Sequence, residues 1–135
     1  MSVRKFPEGT RTAPDAARAV GCEVGQIVKS LVFVAGGRPV VALVSGANRL
    51  DEGRLGAMAG TPVTKADAAV AREATGSAIG GVPPFGHATD IPVFMDRDLL
   101  GYASVWAAAG RPDSVFEIQP ERLRELSKAT VVDLK

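Results

Sequence analysis

Ile27-Val28-Lys29-Ser30-Leu31-Val32-Phe33-Val34-Ala35-Gly36-Gly37-Arg38-Pro39-Val40-Val41-Ala42-Leu43-Val44-Ser45 reads as two strands joined by a glycine turn. β-Branched and aromatic residues crowd positions 27–34, and a second apolar run fills 39–45. Gly36-Gly37 between them marks a hairpin, because glycine supplies the backbone conformations that tight turns need. Lys29 is the exception in the first strand. A charge set inside an apolar run requires a reason.

The segments on either side of the hairpin punctuate themselves. Thr12-Ala13-Pro14-Asp15 opens a helix with a capping hydroxyl and a first-turn proline, and Gly21 stops it. Residues 50–59 read as a short helix ended by Gly60. Residues 64–75 read as another, with Thr64 and Asp67 as a capping pair and Gly76 at its close. Positions 92–95 form a short strand, 98–100 a helical turn, and 104–107 and 115–118 further strands. Residues 120–128 make a helix opening on Pro120 and Glu121, and 131–134 close as an edge strand. Short strands interleaved with helices, two of them in a hairpin, lack the regular alternation of a doubly wound parallel sheet. The expectation is a single α/β (α+β) domain over 1–135, with a mixed, curled sheet and helices outside.

Composition agrees with one ordinary globular domain. The 135 residues are enough to bury roughly two-thirds of the unfolded surface. Hydrophobic residues make up 46% and charged residues 23%, with few aromatics, so Val, Ala and Leu must build the core. Cys22 is the single cysteine, which rules out an internal disulfide or a multi-cysteine metal site. Neither a leader-type apolar segment in 1–9 nor a run of membrane-spanning length is visible, and the expected location is cytoplasmic. A net charge of +1 argues against a long, electrostatically dominated nucleic-acid groove. It leaves room for a pocket that takes one nucleotide end with one or two cations.

The second informative stretch is Gly80-Gly81-Val82-Pro83-Pro84-Phe85-Gly86-His87. Proline locks φ and withdraws its N–H, while glycine opens conformations closed to other residues, so the loop is a shaped wall. It ends on the sole histidine. No dinucleotide fingerprint or phosphate-binding Gly-Lys-Ser/Thr fits it. A tight connection and a ligand-lining loop both agree with its composition. Likewise, Lys29 either runs its stem along apolar surface with the ammonium in water, or points a fixed cation into a pocket for an anionic group such as phosphate. His87 is without a nucleophile nearby in sequence, which argues against a catalytic triad. Cys22, beside a helix end, reads as a bystander thiol. Asp51-Glu52 and Asp96/Asp98 read as helix-start and turn residues. Ser45-Gly46-Ala47-Asn48 is either a plain turn or a pocket edge, and Trp106 reads as core.

Thr10-Arg11-Thr12-Ala13, Gln26-Ile27-Val28-Lys29-Ser30-Leu31-Val32-Phe33, Ala74-Thr75-Gly76-Ser77-Ala78-Ile79 running into the glycine–proline loop, and Val105-Trp106-Ala107-Ala108-Ala109-Gly110 together resemble the YbaK/prolyl-tRNA synthetase-associated editing family. The likeness runs in order over nearly the whole chain. It implies a mixed, barrel-like β-sheet flanked by helices, and a deacylase acting in trans on the 3′ end of mischarged aminoacyl-tRNA. It also implies a domain that is either free-standing or appended to a synthetase, with an aminoacyl-tRNA synthetase as a candidate partner and neither metal nor cofactor required. By the same resemblance, Lys29 contacts the phosphate of the terminal adenosine. Gly80, Gly81 and Gly86 present amides to the reacting carbonyl; His87, at the end of the loop, joins Lys29, Gly80 and Gly81 as a catalytic candidate by its position alone. Phe6, Ser30, Ser45, Pro83, Ala108 and Gly110 line the substrate pocket. The alternative is a module that kept the pocket for tRNA or a nucleotide without catalysis, or an accessory domain of a synthetase.

The chain departs from the best-known bacterial members, which act on cysteinyl-tRNA for proline. Those carry Tyr where Phe6 aligns, Ser-Gly-Gly where Ala108-Ala109-Gly110 stands, and Gln in place of His87. Fewer hydroxyls make a less polar pocket, which opens the specificity to alanine, serine, threonine or another small residue.

Overall fold

The computed structural model describes residues 3–6 and 12–135; Thr10 and Arg11 of the first motif fall outside it. The hairpin is present as β2 (Val28–Ala35) and β3 (Arg38–Ser45), antiparallel, with Lys29 opposite Val44 and Ser30 opposite Leu43. These strands are the middle of a five-stranded sheet of order β4-β2-β3-β5-β8, completed by β4 (Val63–Lys65), β5 (Val93–Asp96) and β8 (Thr130–Val132). β3–β5 and β5–β8 run parallel, so the sheet is mixed. A second, three-stranded antiparallel sheet of order β1-β7-β6 contains β1 (Val3–Lys5), β6 (Val105–Ala108) and β7 (Ser114–Ile118). The two sheets meet where Ile27 bridges Trp106. The curled single sheet expected from sequence is therefore two sheets joined at one corner.

β3 explains why the large sheet forms. Its run Val40, Val41, Ala42, Leu43, Val44 is buried throughout, which a strand achieves only when both faces are covered. Val41 and Leu43 join one apolar cluster with Met95, Leu99, Val105 and Leu123. Val40, Ala42 and Val44 join another with Phe33, Leu55, Phe94 and Leu134. Full burial of one such side chain contributes roughly 1.5–3 kcal/mol, so β3 is the strand the domain can least spare.

The helices begin and end where their caps dictate. In α1 (Ala13–Val20) the Thr12 hydroxyl accepts the Asp15 N–H at 3.2 Å, and Gly21 ends the helix at φ 76°. Asp51 caps α2 (Glu52–Ala59) by accepting the Arg54 N–H at 3.1 Å. Asp67 caps α3 (Ala68–Thr75) by accepting the Val70 N–H at 2.8 Å. α4 (Pro120–Ser127) starts on its proline and closes at Lys128. The helix expected over 64–75 is thus shorter. Thr64 is a strand residue opposite Val34, because pairing with the β2 edge satisfies its backbone better than a first helical turn before Asp67 would. Two elements escaped the sequence reading: β1, every residue of which is exposed, and a 3₁₀ turn at Val24–Gln26. Among the described residues no helix is long and apolar enough to cross a membrane.

Candidate active site

β2 is covered unevenly along its outer edge, and this creates the site. Gly46 N–H donates to the Ile27 carbonyl at 2.7 Å on the β3 side, and Ala66 N–H to the Val32 carbonyl at 3.1 Å on the other. Backbone groups of alternate residues point to opposite edges, so Ser30, like Val32, presents its N–H and C=O away from β3. β4 pairs with that edge only from Phe33 to Ala35, and β6, though it lies alongside, is bridged to the chain only at Ile27. Between them the edge is open at Ser30 among the described residues.

A cavity of about 620 Å³ occupies this gap. Small-molecule sites span roughly 300–1,000 Å³, so it suits one nucleotide end with its aminoacyl group rather than a helix of nucleic acid. Lys29 and Ser30 both line it. Consecutive strand residues point to opposite faces, so a cavity that touches both must wrap around the edge of β2. Small side chains from α1 and β6, including Ala13, Ala16, Ala107 and Ala108, keep the space open, and Gly80 closes one wall. Arg49 and Lys65 add cations to the lining, with Glu52 opposing them.

Three groups in the lining are chemically conspicuous. Lys29 is half-buried and donates from Nζ to the Asn48 main-chain oxygen at 2.6 Å, leaving its other donor positions free among the described residues. Burial pulls its pKa below the ordinary lysine value, and the negative charge of Asp96 pushes back. The Ser30 hydroxyl is buried with no hydrogen-bond partner among the described residues. An orphaned buried hydroxyl costs free energy on the order of 1–3 kcal/mol, which a bound ligand could relieve. Gly80, at φ 90°, has an N–H without a partner among the described residues.

The remaining residues expected at the site stand elsewhere. Gly81 donates its N–H to the Ala78 carbonyl at 2.9 Å, so that amide is not available to a substrate oxyanion. Its role is steric: a Cβ there would lie 2.8 Å from the main-chain carbon of Arg111. His87 donates from Nε2 to the Pro83 carbonyl at 2.6 Å; since a carbonyl only accepts, the proton sits on that nitrogen. The histidine and Pro83 staple the loop behind the cavity wall, and the exposed Gly86 sits at its turn with φ 74°. Ser45 is 1% exposed and donates to the Gly25 carbonyl at 2.7 Å, so it is a core contact. Phe6 packs one layer out, in the cluster of Ala16, Ile27, Trp106 and Val115. Gly110, at φ 97°, shapes the β6–β7 turn beside Ser77. Trp106 is core, as expected, with the Arg4 guanidinium 4.9 Å from its ring centroid, and it also contributes to the cavity lining. Burial and the charges of Glu117 and Glu23 push the Cys22 thiol up, so it is no activated nucleophile.

Arg49, Glu52 and Lys65 were not legible as lining residues. Nothing local distinguishes them from solvated charges, and only the curl of the sheet turns them toward one space. No group of three or more His, Cys, Asp or Glu side chains converges among the described residues.

Comparison with known proteins decides the family. The model of the aminoacyl-tRNA editing domain matches residues 7–126. The chain belongs to the aminoacyl-tRNA editing domain family. Editing domains of this kind are deacylases, hydrolases of the ester between an amino acid and its tRNA, and this chain is one. A crystal structure described as a candidate trans-editing enzyme for prolyl-tRNA synthetase superposes with TM-score 0.95 at 53% identity, covering 99% of this chain and 85% of that one. EbsC of Enterococcus faecalis, a candidate Cys-tRNA(Pro)/Cys-tRNA(Cys) deacylase, is 28% identical over 131 residues, 96% of this chain and 80% of that protein. The proline–tRNA ligase of Elusimicrobium minutum is 31% identical over 128 residues, which span 92% of this chain but 22% of the ligase. The α/β fold with two sheets is the fold of these editing domains.

Proposed function

We propose that this editing domain acts in trans, in the cytoplasm, on tRNA mischarged with a small amino acid, with tRNA for proline as the first candidate. The names of its relatives support tRNA for proline and a functional link to the synthetase. The observation that carries the mechanism is the convergence of Lys29, Ser30, Gly80 and Ala108 on one cavity around the open edge of β2. Lys29 anchors the phosphate of the terminal adenosine on one side of that edge. The aminoacyl ester lies on the other side, against Ser30, Gly80 and Ala108. Arg49 and Lys65, which make no ion pair among the described residues, draw the remaining phosphates toward the mouth.

The ester is already activated, so positioning and oxyanion stabilisation supply most of the rate. Water adds to the ester carbonyl, and the carbon–ribose oxygen bond breaks. The ribose oxygen takes the proton that water loses, assisted by the neighbouring ribose hydroxyl. The free Gly80 N–H and the Ser30 hydroxyl are the donors placed to receive the developing negative charge. The alanine-rich wall suits a small side chain. Such residues are the ones synthetases misread, because a methylene or hydroxyl changes binding by only about 1–3 kcal/mol.

Single-turnover deacylation of a panel of mischarged tRNAs tests this reading. Release of at least one small amino acid is expected; tight binding without release from any tRNA would leave only a binding module. Lys29→Ala should cut the rate by roughly 10²-fold or more. Lys29→Arg should rescue it in part, since a guanidinium fork replaces a point charge. Lys29→Ala loses the bond to Asn48 but also the cost of burying an ammonium, so its stability should move by on the order of 1 kcal/mol. A Lys29→Ala protein that is folded and fully active would remove the anchor.

A further inference from the structure

Lys29 is held by a relay that ends in a buried carboxylate. The Asn48 carbonyl that accepts from Lys29 belongs to the turn leaving β3, closed by Asn48 N–H on the Ser45 carbonyl at 2.9 Å. The Asn48 side chain faces the other way. Its Nδ2 donates to Asp96 Oδ2 and to Asp98 Oδ2, each at 2.8 Å. Asp96, at the end of β5, is 1% exposed. Its Oδ2 also accepts the Ser45 N–H at 3.2 Å, while its Oδ1 accepts the Asp98 N–H at 3.0 Å.

The two oxygens of Asp96 have separate tasks. Oδ1 caps the 3₁₀ turn Arg97–Gly101, an ordinary structural duty. Oδ2 is directed at both ends of the 45–48 turn, which capping does not require. Among the described residues no lysine or arginine contacts Asp96, whereas Asp98 is paired with Lys135 at 2.8 Å. A carboxylate buried without a contacting cation is expensive, and a neutral residue could fill the same space more cheaply.

We propose that Asp96, acting through Asn48, is the positioning residue for the Lys29 ammonium, fixing where the cation stands when the terminal phosphate arrives. The proposal rests on the anchoring role given to Lys29 above. Its reasoning combines mechanics with charge. The turn carrying the Asn48 carbonyl is tied to the end of β5, so the ammonium is aimed by two strands rather than by its own flexible stem. The negative charge of Asp96 also offsets the burial that disfavours the protonated amine. Other charged groups are arranged differently. Arg49 and Glu52 approach the cavity from beyond the turn, Lys65 from β4, and Asp98 and Lys135 are engaged with each other.

The test uses Asp96→Asn, which keeps the shape but removes the charge and turns one of the two acceptors into a donor, and Asn48→Ala, which keeps the main-chain carbonyl and removes only the side-chain tie. The Lys29 Nζ signal, assigned by its absence in Lys29→Arg, is titrated by NMR beside steady-state deacylation. Asp96→Asn should move the Lys29 midpoint down, because the charge that opposes the effect of burial is gone. Both variants should raise KM by about 5–10-fold and leave kcat within about twofold, the signature of a displaced phosphate anchor. An unchanged KM in both variants overturns the proposal, whatever happens to melting temperature or titration. An unmoved Lys29 midpoint in folded Asp96→Asn overturns it too. Should Asp96→Asn fail to fold, the KM of Asn48→Ala decides: a rise supports the relay and no change overturns it. The titration reads the free protein, so it is independent of where phosphate binds. A fully active Lys29→Ala would sink the anchor while leaving the titration result standing.

Discussion

Replacing Gly81 by alanine should displace the wall of the cavity. Gly81 sits against the β6–β7 turn with nothing to spare. A Cβ at this position would lie 2.8 Å from Arg111 C, 2.9 Å from Arg111 Cα and 2.9 Å from Pro112 N. Carbon atoms in contact prefer roughly 3.5–4.0 Å, so the two turns must part by about 0.6–1.2 Å. Neither yields easily. All three clashing atoms are main chain, and Gly81 is tied from the other side by its N–H to the Ala78 carbonyl at 2.9 Å. Overpacking of this kind costs about 1–3 kcal/mol, which lowers the melting temperature of a domain this size by roughly 4–12 °C. Gly80 moves with its neighbour, and a misplacement near 1 Å at a site that works by positioning costs about 10²-fold in rate. The assay is thermal melting beside single-turnover deacylation, with two comparison variants. Gly101→Ala, which meets nothing within 4 Å and needs no positive φ, should be unchanged. Gly80→Ala, also free of contacts but at φ 90°, should carry backbone strain of about 1–2 kcal/mol and lose less activity than Gly81→Ala. A Gly81→Ala protein with native melting and native rate would refute the argument that this wall is set by close packing of the two turns.

Three further outcomes are expected. Ala108→Ser adds a hydroxyl to the cavity wall and should raise relative activity toward cysteinyl- or seryl-tRNA by about fivefold, on the order of 1 kcal/mol; an unchanged profile across the tRNA panel would place the amino acid elsewhere. His87→Asn removes the staple to Pro83 and should cost about 1 kcal/mol while leaving turnover within about threefold; a collapse as large as that of Lys29→Ala would make the histidine chemical. Asp98 has its pKa held below the ordinary carboxylate value by its hydrogen bonds from Lys135 and Asn48, so its contribution is present above that ordinary value and disappears as pH falls through the lowered one. Asp98→Asn should therefore melt below wild type at pH 7, and the gap should close as pH falls below the ordinary carboxylate range; a gap independent of pH would show that the charge is not what matters there.

Local chemistry determined the elements of this protein. The β-branched and aromatic run around Lys29, the glycine pair at 36 and 37, the capping side chains of Thr12 and Asp67, and the stops at Gly21, Gly60 and Gly76 act within a few residues, so the chain carries them openly. Lys29 stood out for the same reason, as a charge where the strand pattern wanted an apolar side chain. What lay beyond the sequence was everything decided by distant partners. β1 has no apolar pattern and exists because β7 offers it an edge. Residues 63–65 are a strand because β2 has a free edge there. The glycine–proline loop was visible as a shaped wall, but which of its groups face the substrate was not: the Gly81 amide and the His87 ring turn inward to the loop itself, and Gly80 alone of that trio lines the cavity. Asp96 looked like a turn residue, and one of its oxygens is. The other reaches across the sheet to Asn48, a partner 48 residues away that no local pattern announces. Hydrogen bonds within a turn leave their mark in adjacent residues; a cavity made where two sheets fail to close is written only in the register of the strands around it.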